Sequence, residues 1–119
     1  MPQITVDYSA TAGAAFDREG FARALHTAVV EIAAAKPEAC KTLFRAADDT
    51  AFGYDTEGAH VVVHVTFGLL AGRTDETKAR LTEATLELLR EHVKPEGWFA
   101  LHASAEVRDL DPSYRKFEI

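Results

Sequence analysis

The chain has 119 residues, 47% of them apolar and 27% charged, which is the composition of a single globular domain (1–119) long enough to bury a core and too short for two. Thirteen basic against nineteen acidic side chains leave a net charge of −6, which argues against nucleic-acid and anionic-membrane partners. The single cysteine, Cys40, excludes an internal disulfide. With no apolar run of about 20 residues and no leader pattern, the expectation is a cytoplasmic protein.

In chain order, Pro2–Ser9 reads as a strand, with Ile4, Val6 and Tyr8 on one side and Thr5 and Asp7 on the other. Proline suits only the head or edge of a strand, because it has no N–H for the ladder. "ATAGAA" has the character of a loop. From Asp17, apolar residues at Phe21, Leu25, Ala28, Val29 and Ile32 mark one face of a helix that Pro37 stops. "CKTLFRA" reads as a short strand and "ADDTAFGYDTEG" as a loop or hairpin. "HVVVHVTFGLL" alternates Val61, Val63, Val65 and Phe67 against His60, His64 and Thr66 and is the clearest strand. Thr74 offers an N-cap to a second helix that runs to about His92, with Asp75 and Glu76 in its first turn and Leu81, Ala84 and Leu88 as its inner stripe. "WFALHASAEV" closes the chain's periodic part as another alternating strand.

The order β-α-β then β-α-β is a weak internal repeat. Ile4, Val6 and Tyr8 fall on Val61, Val63 and Val65, and Ala22-Arg23 falls on Ala79-Arg80. Two such units sharing one sheet, with both helices on one face, make an α+β two-layer sandwich. The open face would carry His60, His64, Thr66, Trp98, His102 and Ser104, either solvated or as an oligomer interface. His60 and His64 share helical metal-ligand spacing, but four residues of strand span about 13 Å, so no single ion within a subunit reaches both and no metal site is expected. Cys40 has no histidine pattern near it and reads as a small structural thiol. "LLAGRT" lacks the glycine spacing and lysine of a phosphate loop.

Pro2 at the head of a strand, the doubled β-α-β order and the stretch "HVVVHVTFGLLAGRTDETKARLTEATLELL" together resemble the tautomerase superfamily, and within it the 5-carboxymethyl-2-hydroxymuconate isomerases. The resemblance covers nearly the whole chain, strongest over 60–89 and weakest over 36–57. The strand ending in A-G-R-T before a helix is its most specific piece. It implies the tautomerase (macrophage migration inhibitory factor-like) fold and a homotrimer. It also implies a cofactor- and metal-independent enzyme that moves a proton between carbon and oxygen of an unsaturated 2-hydroxy/2-oxo acid from aromatic catabolism. Other activities of the superfamily (phenylpyruvate-type tautomerisation, dehalogenation, decarboxylation) and a noncatalytic dimeric α+β barrel are the alternatives.

By that resemblance Pro2 is the general base once Met1 is removed. An α-amino group has a reference pKa of roughly 7.7–8.0, and apolar burial or neighbouring cations lower it toward the working pH. Arg73, at the strand-to-helix turn, falls on a family arginine, where the N–H groups of a helix start would also favour an anion. Arg45 lies about a residue from where the family carries a pair of arginines, and Lys41 occupies the neighbourhood of the other. Arg73 is thus expected to act with Pro2 in catalysis, and Arg45 and Lys41 to bind substrate carboxylates. For Arg45 the competing expectation is a surface ion pair with Asp48 or Asp49.

Overall fold

A computed structural model describes residues 2–119. Its elements are β1 (Gln3–Ser9), a 3-10 segment (Ala10–Ala15), α1 (Arg18–Ala33), a 3-10 turn (Pro37–Ala39), β2 (Lys41–Ala47), β3 (His60–Leu69), α2 (Asp75–His92) and β4 (Ala100–Asp109). The sheet order is β2-β1-β3-β4. The two outer pairings are parallel, and the central β1–β3 pairing is antiparallel. Each half is therefore one β-α-β unit, and the halves meet along β1 and β3. The shift that maps Ile4 onto Val61 also carries Arg18, first in α1, onto Asp75, first in α2.

The buried side of the sheet follows the strand period of two. Ile4 and Val6 alternate with half-buried residues in β1, and Val61, Val63, Val65, Phe67 and Leu69 are fully buried in β3. Both helices close over that side: Phe21, Leu25, Val29 and Ala33 of α1 and Leu81 and Leu89 of α2 join those strand residues in one core. Caps fix the helix starts. Asp17 accepts from the Gly20 N–H, and Thr74, as the sequence indicates, accepts from the Thr77 N–H. Ser9 is buried at the end of β1, where its hydroxyl oxygen accepts from the Val62 N–H at 2.8 Å and so stands in for a ladder bond.

Five sequence expectations are corrected. "ATAGAA" is a 3-10 segment rather than a loop. Helix α1 stops at Ala33, ahead of Pro37, because Ala34 turns into the left-handed region (φ 56). β2 opens at Lys41, not Cys40, which caps the preceding turn. The inner stripe of α2 is Leu81, Thr85 and Leu89. Ala84 and Leu88 are half-buried in a groove against Ala24, Ala28 and Ile32 of α1. An apolar count misses Thr85, whose hydroxyl is satisfied within the helix by the Leu81 carbonyl at 2.7 Å and can therefore be buried. Finally, Trp98 precedes β4 and so does not belong to the open sheet face. It lies half-exposed beside Phe99 and lines a cavity with Phe52, Asp55 and His60.

The open face carries charge in pairs. Arg45 meets Asp7, and His64 lies between Ser104 (2.7 Å) and Glu106 (3.2 Å). His60 meets both Asp55 (2.7 Å) and His102 (2.9 Å), with the Phe52 ring stacked on the two imidazoles. No helix of the described residues is long and apolar enough to cross a membrane, and among them no group of three or more His, Cys, Asp or Glu gathers to hold a metal ion.

Candidate active site

Parallel pairing of β1 with β2 starts both strands at the same end, so Gln3 stands beside Lys41 and the Lys41 N–H donates to the Pro2 carbonyl at 3.4 Å. Antiparallel pairing brings the finish of β3 to that end as well, with Gly68 opposite Gln3. Pro2 is buried there, immediately ahead of β1 and not in it as the sequence predicts, where its missing N–H costs the sheet nothing. The Met1 removal on which a free Pro2 amine depends concerns a residue outside those described.

Arg73 follows the turn after β3, at the same end. That turn passes through Gly72, whose φ of 125° is open to glycine and strained for other residues. The guanidinium is half-buried and reaches the last turn of α1: Nε and Nη2 donate to the Ala33 carbonyl at 3.3 and 3.0 Å, and Nη1 donates to the Leu70 carbonyl at 3.2 Å. A cation on the unpaired carbonyls of a helix C-terminus is favourable, so Arg73 ties α1 to the β3–α2 turn. Two of its five N–H donors are left for a ligand. The start of α2 offers an anion less than its geometry suggests, because Thr74 takes the Thr77 N–H and Asp75 and Glu76 put two carboxylates in the first turn.

Lys41 sits on the open face beside Gln3. Its ammonium donates to the Ala39 carbonyl at 3.2 Å and lies 3.8 Å from a Glu118 carboxylate oxygen. Arg45 is not brought to this group. It lies four residues farther along β2, about 13 Å at the rise of a strand. There it grips Asp7 with two hydrogen bonds, from Nε at 2.8 Å and from Nη2 at 3.0 Å. The expected pairing with Asp48 or Asp49 is replaced because the parallel register sets Asp7 directly beside Arg45. Arg45's bonds hold the Asp7 carboxyl below the usual aspartate range. Cys40 adjoins the same end as a half-buried thiol that burial pushes up, with Sγ donating to the Lys36 carbonyl at 3.5 Å, an environment that disfavours the thiolate.

Sequence reasoning missed Tyr114, whose hydroxyl accepts from Gln3 Nε2 at 3.1 Å. It lies in "DPSYRKFEI", which carries no hydrophobic period, and only the tertiary contact marks it.

No family model matches the sequence, and no curated protein does. Solved structures do. A structure of 5-carboxymethyl-2-hydroxymuconate delta-isomerase superposes with a TM-score of 0.78 at 16% identity, covering 99% of this chain and 89% of that one. FG41 malonate semialdehyde decarboxylase inhibited by 3-bromopropiolate gives 0.66 at 24%, covering 98% and 89%. A fused 4-OT described as a wild-type symmetric trimer gives 0.69 at 24%, covering 91% and 85%. The fold that the resemblance implies is thus borne out in three dimensions: this chain has the α+β tautomerase fold of these structures.

Proposed function

We propose that this chain is a cofactor-independent isomerase that moves a proton in an unsaturated 2-hydroxy/2-oxo acid bearing more than one carboxylate, of the 5-carboxymethyl-2-hydroxymuconate kind, with the Pro2 amine as general base. The observation that carries the reading is the convergence of a buried Pro2, Lys41 and Arg73 at one end of a sheet of this fold. An amine held in a ring needs no rotamer to be fixed. Burial disfavours its ammonium form, and the cations at the same end of the sheet act in the same sense, which favours a base able to act near neutral pH. The amine takes the hydroxyl proton of a 2-hydroxydienoate and returns a proton to a distant carbon, so the dienol becomes a ketone with no change of oxidation state. The free N–H groups of Arg73 stabilise charge on the dienolate oxygen or hold the adjacent carboxylate, and Lys41 holds another.

Engagement of Arg45 by Asp7 favours a second reading for the same base, a substrate with fewer carboxylates processed by another reaction such as decarboxylation. In the first reading Arg45 takes part only when a substrate carboxylate displaces Asp7.

Arg73 tests the first reading. Replacing it with alanine is expected to lower kcat/KM for a dicarboxylate by roughly 10- to 150-fold, the worth of one charge-assisted hydrogen bond. Loss of its bonds to Ala33 and Leu70 also lowers stability, by about 1–2 kcal/mol for a half-exposed group. Lysine rescues only partly, because it lacks the fork. Steady-state kinetics beside a thermal melt separate the two effects. A lowered melting temperature with unchanged kinetics makes Arg73 a tie for α1 and nothing more.

The assembly is proposed to be a homotrimer closed over the open sheet face, where Leu43 is 67% exposed among the charge pairs. Sedimentation velocity at micromolar concentration is expected to give one species of three chains. A stable monomer contradicts it.

A further inference from the structure

We propose that the segment following β4 completes an anion subsite beside Pro2. The Lys41 ammonium and the Tyr114 hydroxyl receive the distal carboxylate of the substrate there, and Glu118 is the internal carboxylate that it displaces. This rests on the reading of the Pro2 end as the active site.

The segment is built to reach that place. The Leu110 N–H donates to the Leu69 carbonyl at 2.7 Å, and the Leu110 side chain lies on Gly68, where an added Cβ would stand 2.8 Å from Leu110 Cδ2. Glycine at 68, opposite Gln3, is what allows this approach. Asp111 then reverses the chain, accepting from the Ser113 N–H on its carboxylate (2.8 Å) and from the Tyr114 N–H on its carbonyl (2.9 Å). The turn delivers a half-buried Tyr114 to Gln3, the residue after Pro2, and Glu118 to Lys41, the neighbour of Gln3 across the sheet.

The donors match a carboxylate. Tyr114 accepts from the Gln3 amide, which leaves its own O–H proton to donate. Lys41 gives one proton to Ala39, and its approach to Glu118 is long, at 3.8 Å, and open to water. Glu118 spans two ammonium groups, Lys41 and Lys116, the latter at 3.1 Å. Lys116 first, then Lys41, hold its carboxyl below the usual glutamate range, so it stays ionised through neutral pH. An incoming carboxylate on Lys41 meets a partner already of its own kind, weakly held and able to remain with Lys116. In a chain of net charge −6 such local cations decide whether a dianion is retained. The subsite therefore selects for a second carboxylate and does nothing for a monoacid.

The test compares a dicarboxylate 2-hydroxydienoate with the matched monocarboxylate. Glu118→Gln is expected to lower KM for the dicarboxylate roughly two- to fivefold, and Tyr114→Phe to raise it roughly tenfold. In both the effect should fall on KM for the dicarboxylate and not on KM for the monocarboxylate, and Tyr114→Phe should in addition lower the melting temperature slightly, because it gives up the hydrogen bond from Gln3. Glutarate, which cannot isomerise, gives a readout free of turnover: backbone amides of residues 114–118 should shift on its addition, and should not in Lys41→Gln. If no dienoate turns over while glutarate moves 114–118 through Lys41, the subsite stands and the isomerase reading fails. If dienoates turn over with discrimination unchanged in both variants and glutarate leaves 114–118 unmoved, the subsite is overturned and the isomerase reading stands.

Discussion

A variant carrying one extra residue ahead of Pro2 is expected to ketonise a 2-hydroxydienoate about 10²- to 10⁴-fold more slowly than the protein with a free Pro2 amine, at an unchanged melting temperature. The reason is chemical rather than steric. Acylation turns a basic secondary amine into a tertiary amide with no lone pair to take a proton, and a positioned general base contributes about that factor. The fold should not notice, because the contacts of Pro2 come from its ring and its carbonyl, which accepts from Lys41 whether or not the nitrogen is acylated. Pro2→Ala is the milder change, since a primary amine keeps the lone pair and loses only the ring that fixes it. A normal rate from the extended variant assigns the proton transfer to another group.

Phe21→Ala is expected to cost about 3–5 kcal/mol, close to the whole stability of a marginal domain. Phe21 is fully buried at the start of α1, with the Phe16 ring 5.6 Å and the His92 ring 6.0 Å away, so its loss opens a cavity at the one end of the helix layer where α1 starts and α2 finishes. Those neighbours are themselves pinned. The Asp17 N–H donates to the His92 carbonyl, Phe16 and Val93 form an isolated bridge, and collapse into the space is therefore limited. Guanidinium unfolding should show a lower midpoint at unchanged slope. A cost under 1 kcal/mol would show that this corner repacks freely.

The cores of the strands and the helix starts were legible because period and N-caps are local, whereas the end of α1 and the first residues of β2 and β4 were not. Val61 to Phe67 alternate, and Thr74 announces the start of α2 without any tertiary information. The α2 stripe was not legible, since Thr85 is buried by virtue of a hydrogen bond to Leu81 that an apolar pattern does not count. The proposed site residues divide in the same way. Pro2 immediately ahead of β1 and Arg73 at the β3–α2 turn follow from local pattern and family likeness. The grip of Arg45 on Asp7 depends on a parallel register between strands far apart in the chain. Tyr114 and Glu118 lie in an aperiodic segment that only the packing of Leu110 on Gly68 returns to the Pro2 end.

The central claim is proton transfer on an unsaturated 2-hydroxy acid, and one measurement meets it directly: incubation of the protein with a dicarboxylate 2-hydroxydienoate in D2O, followed by proton NMR of the ketone. Ketonisation well above the buffer rate, with one deuterium placed on a single face of the protonated carbon, is the predicted result, because a base fixed in the ring of Pro2 delivers from one side. A rate equal to buffer for a protein whose mass proves that its chain begins at Pro2, or deuterium spread equally over both faces, contradicts the account.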